Sequence, residues 1–227
     1  KSSVRLFVNG SEVVVKNVDP EMTLAYFLRN QMKLKGTKLA CEEGACGACT
    51  VAVARWDRRT DKPRFVAANS CLLPLFMVDD CLVLTVEGIG SSTRLHPIQE
   101  RLAWANGTQC GFCSPGFVMA AYVLLRNNPT PSLDEIRGAL IGNLCRCTGY
   151  RPILEAFASF SNSTSNGCCK GNGGHCPCRD NGMESIDRTD ETIEGFVQWS
   201  DMPNLDPTSE VLFPPQLIID SKEVSMV

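Results

Sequence analysis

The 227-residue chain is 44% hydrophobic and 21% charged, an ordinary balance for a soluble globular protein with enough apolar residues for internal cores. Its net charge of −3 is uneven, because residues 161–227 hold four basic and eleven acidic side chains; neither part is basic enough to suggest a nucleic-acid partner. The longest apolar run, residues 116–125, is half of the ~20 residues a membrane-spanning helix needs, and no basic-then-apolar leader opens the chain, so neither a membrane span nor secretion is expected.

Val4 to Val8 and Val13 to Val15 are β-rich runs separated by Asn9-Gly10, two residues that tolerate positive φ, so the chain is expected to open with a hairpin. After Asp19-Pro20, Leu24, Phe27 and Leu28 recur at i, i+3 and i+4, which predicts a helix ending before Gly36 and covering the hairpin's apolar side. Thr50 to Val53, Phe65 to Ala67 and Leu82 to Val86 supply further strands. Hairpin, helix and strands make an α+β unit over residues 1–88, and Gly88 to Ser92 reads as linker.

From His96 the pattern turns helical. Pro97 to Ala105 predicts a first helix closed by Asn106-Gly107, and Ser114-Pro115 opens a second that Asn127-Asn128-Pro129 stops. Ser132 and Glu135 form a capping box for a third helix through Ile136, Leu140 and Ile141, and Pro152 to Phe160 predicts a fourth. An all-α unit over residues 89–163 follows, and one core per unit is the expected arrangement. Residues 164–227 turn to Ser, Asn, Gly and Asp and read as an acidic flexible linker, in which only Val211 to Asp220 looks ready to dock on something.

Thirteen cysteines in a chain of this length, without a leader, point to thiolate-bound metal in a reducing compartment rather than a disulfide scaffold. Eight fall into two sets. Cys41-x4-Cys46-x2-Cys49 with Cys71 has the plant-type spacing for a [2Fe–2S] cluster, and Cys110-x2-Cys113 with Cys145-x-Cys147 forms the second set. Soft anionic sulfur stabilises iron while its charge changes by one electron, and Gly44, Ala45, Gly47 and Ala48 leave room for backbone N–H groups to approach the sulfurs. Glu42 and Glu43 would disfavour the reduced form. On spacing alone, tetrahedral zinc stays open, most of all for the second set.

Two sets in one short chain point to an electron relay; a zinc-bound interaction module and a free-standing ferredoxin-like carrier are the alternatives. Cys168, Cys169, Cys176 and Cys178 beside His175 sit among glycines and read as unliganded linker, with adventitious or regulatory metal or disulfide chemistry as the other possibility. By its position alone Gln109 reads as a polar helix-junction residue, and His96 as a capping or packing residue.

Three segments together resemble the molybdenum hydroxylases, meaning xanthine dehydrogenase/oxidase and aldehyde oxidase. They are Cys41-Glu-Glu-Gly-Ala-Cys46-Gly-Ala-Cys49-Thr, Gln109-Cys-Gly-Phe-Cys-Ser-Pro-Gly116 and Gly142-Asn-Leu-Cys-Arg-Cys-Thr-Gly-Tyr-Arg-Pro152. The resemblance covers residues 4–160 and favours iron over zinc for the second set.

It implies an N-terminal β-grasp, plant ferredoxin-like [2Fe–2S] domain followed by an all-α four-helix [2Fe–2S] domain. Cys110, Cys113, Cys145 and Cys147 would hold the cluster nearer molybdenum, and Cys41, Cys46, Cys49 and Cys71 the one nearer the flavin. Gln109 and Cys147 match positions that contact the molybdopterin cofactor.

Leu205 to Leu217 looks like the linker that enters the FAD domain in single-chain relatives, so the chain, starting at Lys1, is expected to be the amino-terminal piece of a longer polypeptide. The resemblance further implies Mo-molybdopterin and FAD bound mainly by other domains, a homodimer when full length, a cytoplasmic or peroxisomal setting, and a purine or aldehyde substrate bound elsewhere. Xanthine dehydrogenase is slightly favoured as the commoner member. No catalytic residue is expected within these 227 positions.

Overall fold

In the computed structural model, which describes residues 3–161 and 203–223, Asn9 and Gly10 take φ of 49° and 87° and join β1 (Ser3–Val8) to β2 (Ser11–Lys16). The strands pair antiparallel with Val8 opposite Ser11, the register that a two-residue Asn-Gly connection sets. Thr23 then caps α1 (Leu24–Tyr26), its hydroxyl accepting the Tyr26 N–H at 3.2 Å. The apolar spacing predicts an α-helix continuing from here, but the structure departs from it after one turn. Over Phe27–Gln31 the hydrogen bonds widen to i+5, with the Met32 N–H on the Phe27 carbonyl at 3.0 Å. Arg29 reaches the Lys35 and Thr37 carbonyls, beyond the end of this segment, at 3.2 and 2.6 Å.

β3 (Thr50–Asp57) and β4 (Lys62–Asn69) form a second antiparallel pair, and β5 (Cys81–Leu84) inserts between the two hairpins, parallel to β1 and antiparallel to β3. The sheet order is β2-β1-β5-β3-β4. β5 ends before the predicted Val86, because Thr85 leads into the short α2 (Val86–Ile89), which occupies the start of the expected linker.

Alternation along the strands makes both sheet faces apolar. Val4, Leu6, Val8, Val51, Cys81 and Val83 pack with Leu24, Phe27 and Leu28, so the first helical segment covers the hairpin as expected. Phe7, Ala52, Ala54, Phe65, Leu82 and Leu84 line the opposite face, where the helices lie.

Those helices are α3 (Pro97–Trp104), α4 (Ser114–Asn127), α5 (Leu133–Leu140) and α6 (Arg151–Ala158). His96 caps α3, its imidazole accepting the Ile98 N–H while Gln99 accepts the His96 N–H, so a capping role is what the structure gives it. Ser132 and Glu135 form their reciprocal box. The cap of α4 differs by one residue: Cys113 holds that position, and the Ser114 hydroxyl pairs instead with that of Thr108 at 2.7 Å.

The helices enclose no core of their own. Phe117, Met119, Tyr122, Ile98, Leu102, Ile153 and Phe157 join one continuous cluster with the second face of the sheet, where two separate cores are the sequence expectation. The reason is the period-2 pattern: Leu82, Leu84, Ala52 and Ala54 form an apolar face that only the helical half can shield from water. Asn127, at the end of α4, seals the open edge of β4 by accepting the Phe65 N–H at 3.2 Å and donating to its carbonyl at 2.8 Å.

Residues 203–223 fold back over this body, so the last part of the expected flexible linker is ordered. Arg101, 3% exposed, donates to the Pro203 carbonyl at 3.1 Å. Glu210 meets His96, Tyr122 and Arg126, Phe213 stacks 5.6 Å from Trp56, and Leu217 of α7 (Pro215–Glu223) is buried. Asp220 pairs with Arg5 of β1. The stretch that looks ready to dock thus docks on its own chain. Cys168, Cys169, Cys176, Cys178 and His175 lie outside the described residues, and among the described residues no helix is long and apolar enough to cross a membrane.

Candidate metal centres

The first cysteine loop curls tightly because Glu42, Gly44 and Gly47 take φ of 56°, 79° and 69°. The backbone N–H groups of Glu43, Cys46 and Ala45 bond the Cys41 sulfur, and these donors, Glu43 first, lower its thiol to about 7. Glu42 and Glu43 are themselves exposed. Cys46 is the neighbouring thiol that acts on Cys41, and Cys71 the one that acts on Cys49. Burial, reinforced by Cys71, pushes Cys49 up to about 11. Cys71 is delivered by the end of β4: Asn69 donates to the Gly44 carbonyl at 2.7 Å and the Ser70 hydroxyl to the Cys49 carbonyl at 2.7 Å.

The second set comes from two helix junctions. Cys110 and Cys113 precede α4, while Cys145 and Cys147 lie between α5 and α6. Cys113 pairs with Cys145, and Cys110 with Cys147. Burial first, then the neighbouring Cys145, pushes Cys113 up to about 12, and the Cys110 thiol raises Cys147. Burial also works to raise Cys145, but the Thr148 hydroxyl, 3.1 Å from its sulfur, and the Thr148 N–H outweigh it, and Cys145 lies below the ordinary thiol value. Tyr150, held left-handed at φ 68°, turns its hydroxyl back to accept the Cys145 N–H at 3.1 Å.

All nine described cysteines are free thiols, and the thiols that act on Cys49 (Cys71 and Cys46) and on Cys113 (Cys145 and Cys110) belong to the same set as the thiol they act on. Among the described residues, no three His, Cys, Asp or Glu side chains gather as the shell of a single ion. Four thiols per set are enough for two bridged irons, each taking two thiolates. The all-sulfur donor set and the N–H groups aimed at Cys41 fit an anionic iron–sulfur cluster.

Each set has a more exposed and a more buried pair. Cys49, Cys71 and Cys145 are buried; Cys110 and Cys147 are exposed, as is Gln109 beside them. The ninth thiol, Cys81, belongs to neither set and accepts from Arg55 Nε at 2.7 Å. The two loops touch: the Leu144 N–H donates to the Cys46 carbonyl at 2.9 Å, and the Asn143 side chain to the Gly47 carbonyl at 2.9 Å. Asn143, Thr148 and Tyr150 all stand in the third motif segment, but their roles escape a reading in which only the sulfurs carry chemistry. Their signal is a short polar or aromatic residue within five positions of a ligand.

Comparison with known proteins places these centres in context. The family described as "2Fe-2S iron-sulfur cluster binding domain" matches residues 6–75, and that described as "[2Fe-2S] binding domain" matches residues 85–158. The chain is similar to xanthine dehydrogenase/oxidase of Rattus norvegicus, at 49% identity over 93% of this chain and 16% of the relative. To the probable aldehyde oxidase gad-3 of Caenorhabditis elegans it is 54% identical over 94% of this chain and 17% of the relative. Among solved structures, quinoline 2-oxidoreductase from Pseudomonas putida 86 superposes with a TM-score of 0.59 at 36% identity, over 69% of this chain and 90% of that one. The chain therefore spans about a sixth of the length of the curated relatives.

Proposed function

The chain belongs to the molybdenum hydroxylase family as its electron-transferring iron–sulfur portion, and we propose that it relays electrons singly from a molybdenum centre through two [2Fe–2S] clusters to FAD. In this reading residues 1–88 form the β-grasp, ferredoxin-like domain, residues 89–163 the four-helix domain, and residues 164–227 the passage to an FAD domain further along the same polypeptide. Cys41, Cys46, Cys49 and Cys71 hold one cluster; Cys110, Cys113, Cys145 and Cys147 hold the other. The observation that supports the assignment is that the two matched [2Fe–2S]-binding families, over residues 6–75 and 85–158, each contain one set of four cysteines.

Each cluster, when bound, supplies a site that takes up and gives back one electron. The chain's own groups do the rest. Eight thiolates hold the irons, the N–H groups of Glu43, Ala45 and Cys46 offset negative charge at Cys41, and Thr148 does so at Cys145. Burial of Cys49, Cys71 and Cys145 keeps water from the inner side of each centre.

Gln109, Cys110 and Cys147 lie exposed together, which supports Gln109 and Cys147 as the surface that adjoins the molybdopterin cofactor on another domain. Substrate chemistry, the hydroxylation of a purine or an aldehyde, belongs to that domain. Similarity to a xanthine enzyme and to an aldehyde enzyme at comparable identity favours neither substrate. A homodimer in the cytoplasm completes the proposal.

The test is EPR spectroscopy of anaerobically purified, dithionite-reduced protein. Two distinguishable [2Fe–2S] signals are expected. A colourless, EPR-silent protein would remove the relay.

A further inference from the structure

The two cysteine loops meet through a narrow backbone contact. Leu144, which immediately precedes Cys145, donates its N–H to the carbonyl of Cys46 at 2.9 Å. A ligand of one set is thereby joined to a ligand of the other by covalent backbone and one short hydrogen bond. Beside it, Asn143 is only 5% exposed, and its amide donates to the Gly47 carbonyl at 2.9 Å and to the Thr50 hydroxyl at 3.3 Å. The Thr50 hydroxyl itself donates to the Gly47 carbonyl at 2.7 Å.

The backbones of the two loops approach closely here, with the Asn143 amide between them. Gly47 takes a left-handed φ of 69°, and a Cβ there would overlap the Gly142 carbonyl; a Cβ on Gly116 would overlap the carbonyl of Gly47. This close approach is specified from both sides, by small residues and by a buried amide that fits one carbonyl.

We infer that Asn143 is a positioning residue for electron transfer between the two centres, holding in place the Leu144–Cys46 hydrogen bond that connects the sets. The inference rests on the ligand assignment above. One electron leaves the cluster held by Cys110, Cys113, Cys145 and Cys147, which is oxidised, and enters the one held by Cys41, Cys46, Cys49 and Cys71, which is reduced; no bond of the chain forms or breaks. Asn143 touches neither cluster. Its amide fixes Gly47, the residue after Cys46, from a position next to Leu144, so both partners of the connecting hydrogen bond are anchored by one side chain.

The experiment uses the full-length holoprotein and compares the parent with Asn143→Ala and with the near-isosteric Thr50→Val. Iron and acid-labile sulfide, the EPR spectrum of each centre, and the rate at which a photochemically injected electron equilibrates between the centres are measured. Expected are unchanged metal and sulfide content and unchanged individual spectra. Equilibration should slow severalfold in Asn143→Ala and by a smaller factor in Thr50→Val.

A purely structural role would lower stability without moving that rate. Unchanged equilibration in variants with both centres intact overturns the role of Asn143 while leaving the ligand assignment standing. A parent protein without iron and sulfide overturns both. Thr50→Val, which preserves shape, decides the matter where Asn143→Ala fails to assemble its centres.

Discussion

Replacing Glu210 with alanine should release residues 203–223 from the body of the protein. Its carboxylate accepts from the Tyr122 hydroxyl at 2.7 Å, lies 2.8 Å from His96 Nε2 and 3.2 Å from Arg126, and its side chain is 11% exposed. Breaking a fully buried ion pair costs about 3–5 kcal/mol, and a lost buried hydrogen bond about 1–3. Arg126 is 19% exposed and keeps its place 4.4 Å from the centroid of Phe65, so the stranded cation is partly relieved; a loss of about 2–3 kcal/mol follows.

The pH dependence has a definite sign. Burial pushes the Glu210 carboxyl up, but hydrogen bonds from His96 and Tyr122 and the charge of Arg126 outweigh it, leaving it below its ordinary 4.5. A depressed carboxyl stabilises the fold above its unfolded value and loses that contribution as pH falls through the folded one. The gap between parent and Glu210→Ala should therefore be full at neutral pH and close in acid. Urea denaturation across pH, with hydrogen exchange of residues 203–223, measures both. A change smaller than about 0.5 kcal/mol at neutral pH, within the range of ordinary surface substitutions, with unaltered exchange, would refute the clasp.

Three further substitutions probe separate parts of the structure. Asn127→Ala removes both bonds to the Phe65 backbone and should cost about 1–3 kcal/mol, with faster amide exchange along β4 as its marker; protection equal to the parent would show that the edge needs no seal. Ser132→Ala removes the acceptor for the Glu135 N–H, leaving only the backbone half of the capping box, and should destabilise α5 by about 1 kcal/mol, read from the shift in denaturation midpoint. Cys147→Ser should perturb one of two EPR signals and spare the other; equal loss of both would argue against independent centres.

Much of this architecture is legible in the sequence because local chemistry dictates it. Asn9-Gly10 specifies a hairpin, Ser132 and Glu135 a helix start, and the plant-type cysteine spacing a cluster loop. What escapes is set at long range. The wide turn at Phe27–Gln31 depends on Arg29 reaching carbonyls beyond the helix, and no periodicity encodes that. The single shared core follows from β5 inserting between two hairpins, a pairing fixed only once β1 and β3 are both present.

At the centres, spacing names the sulfurs but not the neighbours that tune and join them. Thr148, Tyr150 and Asn143 act through a hydroxyl, a phenol and an amide whose targets are defined by left-handed turns and by a loop 96 residues away. The clasp is legible only in part: Val211 to Asp220 reads as a segment ready to dock, but the role of Glu210 and the partners Tyr122, His96 and Trp56 emerge only in the fold.

The claim beneath all of this is that eight thiols hold two diiron centres. Metal and acid-labile sulfide analysis of protein purified under strict exclusion of oxygen tests it most directly. The account predicts iron and sulfide in equal amounts, enough for two [2Fe–2S] clusters per chain; zinc in place of iron, with no labile sulfide, would contradict it.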